Sequence, residues 1–249
     1  IGDMAGGTGN PDVQAALDVL ENTWVTAVAM PWNDATNVGT FAAWLRERYT
    51  ATAKLDVHGY VGKRGTFGQL TAWGVLTNCP FLSLAGLNRS PTASWEIAAT
   101  VMGIASFHLA NDPARQLRSL VVTGARSPDA GDQFTATEND LLLRSGVSTF
   151  RSLDDGTLTI SRLITAYRQS NLGVADRAWM DIMVPATLSR IRYDWAMYVS
   201  LLYPRSKLVD DEDAGAFVGR IDDADEDPGN VVVTPRRMHA SWAARCQLY

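Results

Sequence analysis

The sequence predicts an α/β fold: a mostly parallel sheet flanked by helices, followed by a smaller α+β C-terminal domain. Runs typical of β-strands and amphipathic helical runs alternate four times in the first half of the chain, at lengths that suit βαβ units. The length of 249 residues fits one large or two modest domains. We expect a first domain at residues 1–170 and a second at 171–249, which includes an acidic loop at 209–229.

The first elements have clear end signals. Asn10 is a predicted helix N-cap, with Pro11 at the first helical position. A β-type run at 24–30 ends at Pro31, because proline cannot donate to a sheet ladder. Asp34 is then the predicted N-cap of a second helix.

The next segments continue the alternation. A short strand is expected at 55–60, and Thr66 is the predicted cap of a third helix. A strand at 81–84 and a helix beginning at Ser90 follow, and residues 120–122 form a further short apolar strand. Units of this kind make a parallel sheet that is covered on both faces.

A hairpin is predicted after this region. Thr135 and Glu138 have the spacing of a capping box, so a short helix should begin there. The β-type runs at 147–150 and 158–160 are joined by an Asp-Asp-Gly turn at 154–156, which predicts an antiparallel pair.

A long amphipathic helix comes next. Pro185 fits its first turn, Pro204 ends it, and Thr234 begins a last helix. Apolar residues recur along it at spacings of three and four, and they are Val184, Leu188, Ile191, Trp195, Tyr198 and Leu202.

Composition excludes several classes of protein. The chain has no apolar run of about 18 residues and no signal peptide, so we expect no membrane span. Cys79 and Cys246 are the only cysteines, which favours a reducing compartment without disulfides. Because the chain begins with Ile1 rather than Met, we expect a fragment, a processed product or the ordered part of a longer protein, and we expect the last helix, from Thr234, to be truncated.

The net charge of −5 is unevenly distributed. Nine of the 27 acidic residues lie between Asp210 and Asp227, with only Arg220 as a base among them. The rest of the chain is close to neutral and shows no basic patch with interleaved aromatic residues. Nucleic acid is therefore not an expected partner.

No motif for catalysis or cofactor binding has the required spacing. The glycines at 59–66 lack the four residues that a phosphate-binding loop places before Gly-Lys, so they predict a turn before a helix. The segments around His58, His108 and His239 do not match those of a Ser-His-Asp triad. The acidic run at 223–229 lacks the glycine and glutamate of an EF-hand. We expect no enzyme activity, no cofactor and no metal.

The eight tryptophans mostly have the spacing of core residues. Trp32 and Trp242 are less clearly inward-facing. Each is either a core residue or an interface anchor.

Several short motifs occur in a fixed order along nearly the whole chain. Upstream are AMPW at 29–32, RGT at 64–66, SPT at 90–92 and DPAR at 112–115. Downstream are LLL at 141–143 with Gly146, RLIT at 162–165, YPRSKLVDD at 203–211 and VTP at 233–235. In this order the sequence resembles the contractile-tail sheath proteins of Mu-like phages and prophages.

The resemblance implies a structural function and a core domain related in fold to subtilisin-like proteases, here without the triad. Sheath subunits of this family form a sleeve around an inner tail tube and contract to drive the tube through the host envelope. The partners it implies are other subunits of a homo-oligomeric helical sheath, the inner tail tube protein, the baseplate and the tail terminator. The implied location is the virion tail, after assembly in the host bacterial cytoplasm, with neither nucleic acid nor membrane as a partner.

Two sets of charged residues are candidate interface residues. The first is basic, is expected to face the inner tube, and consists of Arg236, Arg237 and Arg245. The second is expected to form salt-sensitive ion pairs within or between subunits, and consists of Arg162, Arg205, Lys207, Asp210, Asp211, Glu212 and Asp213.

A second interpretation of the same fold is kept open. An α/β ligand-binding protein or enzyme would use the crevice at the carboxyl ends of the parallel strands.

Overall fold

The computed structural model describes residues 9–212 and 232–247. The chain divides into two compact units, Ile1–Thr187 and Leu188–Tyr249. The predicted domain boundary after residue 170 stays a prediction.

The larger unit contains a five-stranded sheet whose strands are ordered as they occur in the chain. The first four strands run parallel, and the fifth pairs antiparallel with the fourth. This confirms the predicted fold class and the predicted hairpin. The strands are β1 Ala27–Met30, β2 His58–Arg64, β3 Leu82–Leu87, β4 Val147–Ser152 and β5 Leu158–Arg162.

Helices connect the strands, and one long helix leads into the smaller unit. They are α1 Gln14–Asp18, α2 Ala35–Arg48, α3 Phe67–Gly74, α4 Ser94–Asn111, α5 Ala136–Arg144 and α6 Met183–Leu202. The smaller unit also contains β6 Lys207–Leu208, β7 Val232–Val233 and α7 Pro235–Cys246. A short 3-10 helix, Ala130–Asp132, lies between α4 and α5.

Helices cover both faces of the sheet. Residues of α1, α2, α3 and α5 share one hydrophobic core with Val61 of β2 and Leu84 of β3. On the other face, Ile97 and Val101 of α4 pack with Tyr60 of β2. Alternate residues of β2 thus point into two separate cores, as expected for a buried parallel sheet.

The predicted helix caps at Asp34, Thr66, Thr135 and Thr234 are all confirmed. Desolvation opposes ionisation of Asp34, but hydrogen bonds from Asn10 and from Asn37 lower its pKa to about 2. The Asp34 carboxylate therefore stays ionised at the positive end of α2, where negative charge stabilises a helix.

Several predicted elements differ from those in the structure. The strands expected at 24–30 and 55–60 lie at Ala27–Met30 and His58–Arg64. The first helix begins at Gln14 with Val13 as its N-cap, because the Asn10 side chain instead donates to Asp34, at 2.7 Å. The helix expected from Ser90 begins at Ser94, since the Ser90 hydroxyl donates to the carbonyl of Arg126, at 2.7 Å. Residues 120–122 contribute only an isolated bridge between Val121 and Thr159.

The glycine-rich run expected to form a turn is mostly strand β2. A Cβ on Gly59 would lie 2.6 Å from side-chain atoms of Leu45 and Phe41. A Cβ on Gly62 would lie 2.1 Å from the carbonyl oxygen of Ser94. These glycines are therefore explained by close packing of α2 and α4 against the sheet.

We predict that Gly62→Ala destabilises the larger unit by about 2–4 kcal/mol, because α4 must move away from β2. Gly103→Ala is the matched control in α4, since its added Cβ meets nothing within 4 Å. The control should stabilise by up to about 1 kcal/mol. Urea unfolding of both variants measures the difference, and equal free energies of unfolding would contradict the proposed role of Gly62.

Candidate functional site

The smaller unit is held together by aromatic and ionic contacts between α6 and α7. The rings of Trp195 and Trp242 meet edge-to-face with centroids 4.9 Å apart. The Arg245 guanidinium donates to both carboxylate oxygens of Asp194, with Nε 2.6 Å from one of them. It also lies 5.3 Å from the centre of the Tyr198 ring. Arg245 therefore has a structural role within this unit, and its predicted role at an interface stays a prediction.

The same unit contains a minimal sheet of two parallel strands, β6 and β7. Lys207 is opposite Val232, and Leu208 is opposite Val233. Within residues 9–212 and 232–247, no third strand joins this pair. A pair this short is marginal in water and is stabilised by strands that add to its edges.

One acidic residue of the predicted cluster caps α7. The Asp211 carboxylate accepts from the Arg236 backbone N–H, at 3.1 Å. A hydrogen bond from the Thr234 side chain lowers the pKa of Asp211, and the hydrogen bond from the Arg236 backbone N–H acts in the same direction. Asp210 and Glu212 beside it are exposed, and Asp213 lies outside the described residues.

The basic residues of the candidate sets differ in exposure and contacts. Arg236 is exposed. Arg237 donates to the carbonyl of Val232, at 3.2 Å, and lies 5.5 Å from the centre of the Tyr203 ring. Arg205 and Lys207 are exposed, and each already has an interaction partner. Arg236 and Arg237 are therefore the exposed arginines at the start of α7.

Arg162 lies in the larger unit, where it pairs with Asp181. Its Nε and Nη2 atoms both donate to the carboxylate, at 3.0–3.1 Å. Two-pronged contacts of this kind are among the stronger ion pairs. The predicted pairing of Arg162 with the acidic residues at 210–213 stays a prediction.

The structure brings together one serine–histidine pair that the sequence did not indicate. His58 Nε2 lies 2.9 Å from Ser83 Oγ across β2 and β3. Ser83 is only 1% exposed, and the His58 ring packs against Tyr60. No carboxylate contacts this histidine among the described residues. The pair has the environment of a core contact, because a substrate would not reach the buried hydroxyl.

Side chains at the carboxyl ends of the parallel strands bond to neighbouring segments. Asn33 after β1 donates to the carbonyl of Gly62 in β2, at 3.0 Å. Asn88 after β3 donates to the carbonyl of Asp132 in the 3-10 helix, at 2.7 Å. Both side chains thus make internal contacts at the edge of the sheet where a ligand crevice would lie.

The described part of the chain has neither a group of metal-ligating side chains nor a membrane-spanning helix. Within it, no three His, Cys, Asp or Glu side chains are grouped so that they could hold a metal ion. None of its helices is long and apolar enough to cross a membrane. The acidic run at 223–229 lies outside the described residues.

Tryptophan exposure differs from the expectation at two positions. Trp32 is half-buried against the core, and Trp242 is 36% exposed while packing on Trp195. Trp24 and Trp95, expected to be core residues, are 48% and 59% exposed. Helical spacing alone does not show that Trp95 lies on the outer side of α4.

Comparison with known proteins gives one consistent result. Residues 6–166 match the family described as phage tail sheath protein central domain. The Mu-like prophage FluMu tail sheath protein of Haemophilus influenzae is 29% identical over 236 residues, which cover 95% of this chain and 46% of that protein.

Solved structures show the same fold at low sequence identity. The sheath tail protein of Listeria innocua matches with a TM-score of 0.62 and 13% identity, covering 98% of this chain and 50% of that one. The sheath tail protein of Desulfitobacterium hafniense matches with a TM-score of 0.59 and 14% identity, covering 82% of this chain and 46% of that one. A chain of the anti-feeding prophage helical sheath in its contracted state matches with a TM-score of 0.50 and 14% identity, covering 76% of this chain and 50% of that one. The chain thus spans about half the length of the proteins it matches.

We predict that His58 makes stability depend on pH. Burial lowers the pKa of His58 from 6.5 to about 3, so between these values the unfolded chain binds a proton that the folded chain excludes. The free energy of unfolding should therefore fall as pH drops below 6.5, by about 1–2 kcal/mol at pH 5. In His58→Gln, this loss of unfolding free energy between pH 7 and pH 5 should be absent, and urea unfolding at the two pH values measures it.

His239→Gln is the control, because His239 is exposed on α7. It should lose the same stability as the unmodified protein between the two pH values. An unchanged pH dependence in His58→Gln would contradict the assignment.

Proposed function

The chain belongs to the phage tail sheath protein family, and on that premise we propose that it is the core of a structural subunit of a contractile tail sheath. The match of the family's central domain to residues 6–166 carries this proposal. The Mu-like prophage relative, which aligns with 95% of the chain, supports the same assignment. The subunits polymerise around an inner tail tube and contract to drive that tube through the host envelope.

Contraction needs a subunit that keeps its fold while its contacts with neighbours change. The larger unit suits this task because its sheet is buried on both faces and its two cores are closely packed. Such a unit moves as a rigid body between two packings of different free energy. The difference, summed over many subunits, supplies the work, and no nucleotide is consumed.

The smaller unit is suited to joining subunits. Its two-stranded sheet, β6 and β7, has edges onto which extended segments of neighbouring subunits can add strands. Main-chain hydrogen bonds of this kind connect chains without requiring a matched side-chain surface. The short sheet is stabilised by each strand that it gains.

The other partners are the inner tail tube protein, the baseplate and the tail terminator. Arg236 and Arg237, exposed at the start of α7, face the tube. The acidic residues Asp210 and Glu212 pair with bases within or between subunits. The sheath is part of the virion tail, is assembled in the host bacterial cytoplasm, and has no enzymatic step.

Negative-stain electron microscopy of the complete protein at high concentration tests the function. We expect hollow tubes of uniform diameter, because each subunit repeats the same contacts with the next. Dispersed particles from folded protein, together with a saturable shift of Tm by a nucleotide or metabolite, would contradict the proposal and favour the crevice interpretation.

We predict that the double substitution Arg236→Glu with Arg237→Glu prevents co-assembly with the inner tube protein, because it reverses the charge of the tube-facing surface. Cosedimentation of the two proteins measures this effect. Arg115→Glu with Arg118→Glu is the matched control, since both arginines are exposed in the larger unit and the change in net charge is the same. Unchanged cosedimentation of the α7 variant would show that this face does not contact the tube.

A further inference from the structure

The outer side of α4 lacks the charges that usually cover a surface helix. Glu96 and His108 are the only ionisable residues in its 18 positions. One side of the helix, with Ile97, Val101 and Ala105, is buried against the sheet. Helices that are apolar on all sides are normally buried on all sides. The outer side of α4 therefore has the composition of a covered surface.

This outer side forms a stripe with large residues at its ends and small residues between them. Trp95 is 59% exposed and Phe107 is 66% exposed, and Ala99 and Gly103 lie between them at four-residue spacing. The two aromatic residues are three turns apart, about 18 Å along the axis. No atom lies within 4 Å of a Cβ placed on Gly103. The stripe therefore has open space over Gly103 and exposed aromatic residues at both ends.

A second apolar surface protrudes from the larger unit at residues 168–178, here called the 168–178 hairpin. Near its tip, Leu172 is 88% exposed and Val174 is 64% exposed. The Ser170 N–H donates to the carbonyl of Val174, at 2.9 Å, and Gly173 has a φ of +74°. This turn holds the two aliphatic side chains outward.

The base of the 168–178 hairpin is fixed to the body of the unit. The Asn78 side chain accepts from the backbone N–H groups of Arg168 and Gln169, at 2.7 and 3.1 Å. It also donates to the carbonyl of Gln169, at 2.7 Å. The exposed Leu172 and Val174 are thus part of a positioned surface.

The two surfaces lie on opposite faces of the sheet. Trp179 beside the hairpin packs with Phe81 in the core that contains α2. α4 packs in the other core. A contact between them would therefore join two copies head to tail, and repetition of such a contact generates an open helical array.

The charges of the two surfaces are complementary. The exposed charge on the outer side of α4 is Glu96, seven residues or about 10 Å from Gly103. The exposed charge of the hairpin is Arg177, five residues from Leu172 and at most about 17 Å from it in an extended chain. The neighbouring Asp176 is half-buried, and its carboxylate accepts hydrogen bonds from the Tyr167 hydroxyl and the Ala178 N–H. Glu96 and Arg177 can meet while Leu172 lies on the small residues of α4.

We propose that the 168–178 hairpin of one copy binds the outer side of α4 of the next copy. Leu172 and Val174 lie between Trp95 and Phe107, and Arg177 faces Glu96. The inference rests on the proposed function, because it assumes a repeating assembly of this chain. It adds a contact between the larger units of successive subunits, separate from the strand addition at β6 and β7.

Cysteine cross-linking in assembled complete protein tests the contact. In a Cys246→Ser background, the double variant Gly103→Cys with Leu172→Cys should give a ladder of disulfide-linked oligomers after mild oxidation. Either single variant should stay monomeric on a denaturing gel without reductant, and a mixture of the two should stop at dimers. Gly39→Cys with Leu172→Cys is the matched control, because Gly39 is also an exposed helical glycine with open space for a Cβ. This control should give no ladder.

Microscopy of the same samples separates this inference from the proposed function. Tubes without a ladder would overturn the contact and leave the function intact. A cross-link within one chain would show that the complete protein itself covers α4. Dimers from Gly103→Cys alone would show a symmetric contact between two copies of α4. Either result would overturn the inference. Folded protein that forms no tubes even in the Cys246→Ser background would contradict the proposed function, and with it the assembly on which the contact depends.

Discussion

The covering of the parallel sheet on both faces is the constraint on which the rest of the larger unit depends. Four parallel strands have side chains on two sides, and both sides are apolar here. Helices α1, α2, α3 and α5 supply one cover, while α4 packs on the other side at the glycine backbone of β2. The close approach at Gly62 fixes the position of α4, and this position leaves Trp95 and Phe107 outside.

In the proposed function, the two units have different tasks. In the larger unit, polar side chains contact one another within the unit, as in the His58–Ser83 contact and the Arg162–Asp181 ion pair. In the smaller unit, Arg245 connects α7 to α6, while the residues of β6 and the side chain of Arg236 are exposed. A rigid body with separate joining surfaces is what a sheath subunit needs when it changes packing without changing fold.

Local signals in the sequence predicted much of this fold. The caps at Asp34, Thr66 and Thr135 and the turn of the hairpin depend on residues within a few positions of each other. Predictions failed where distant residues decide: Asn10 bonds to Asp34, and β2 carries glycines because helices pack on it. The exposure of Trp95 and the pairing of His58 with Ser83 depend on tertiary structure, which helical and strand spacing do not encode.

The proposed assembly can be tested by a helical reconstruction of the assembled complete protein from cryo-electron micrographs. We predict that the five-stranded sheet of the larger unit repeats unchanged in every subunit around an open lumen, with the smaller units linked through added strands at β6 and β7. A map in which the sheet is rearranged, or in which the chain repeats without enclosing a lumen, would contradict it.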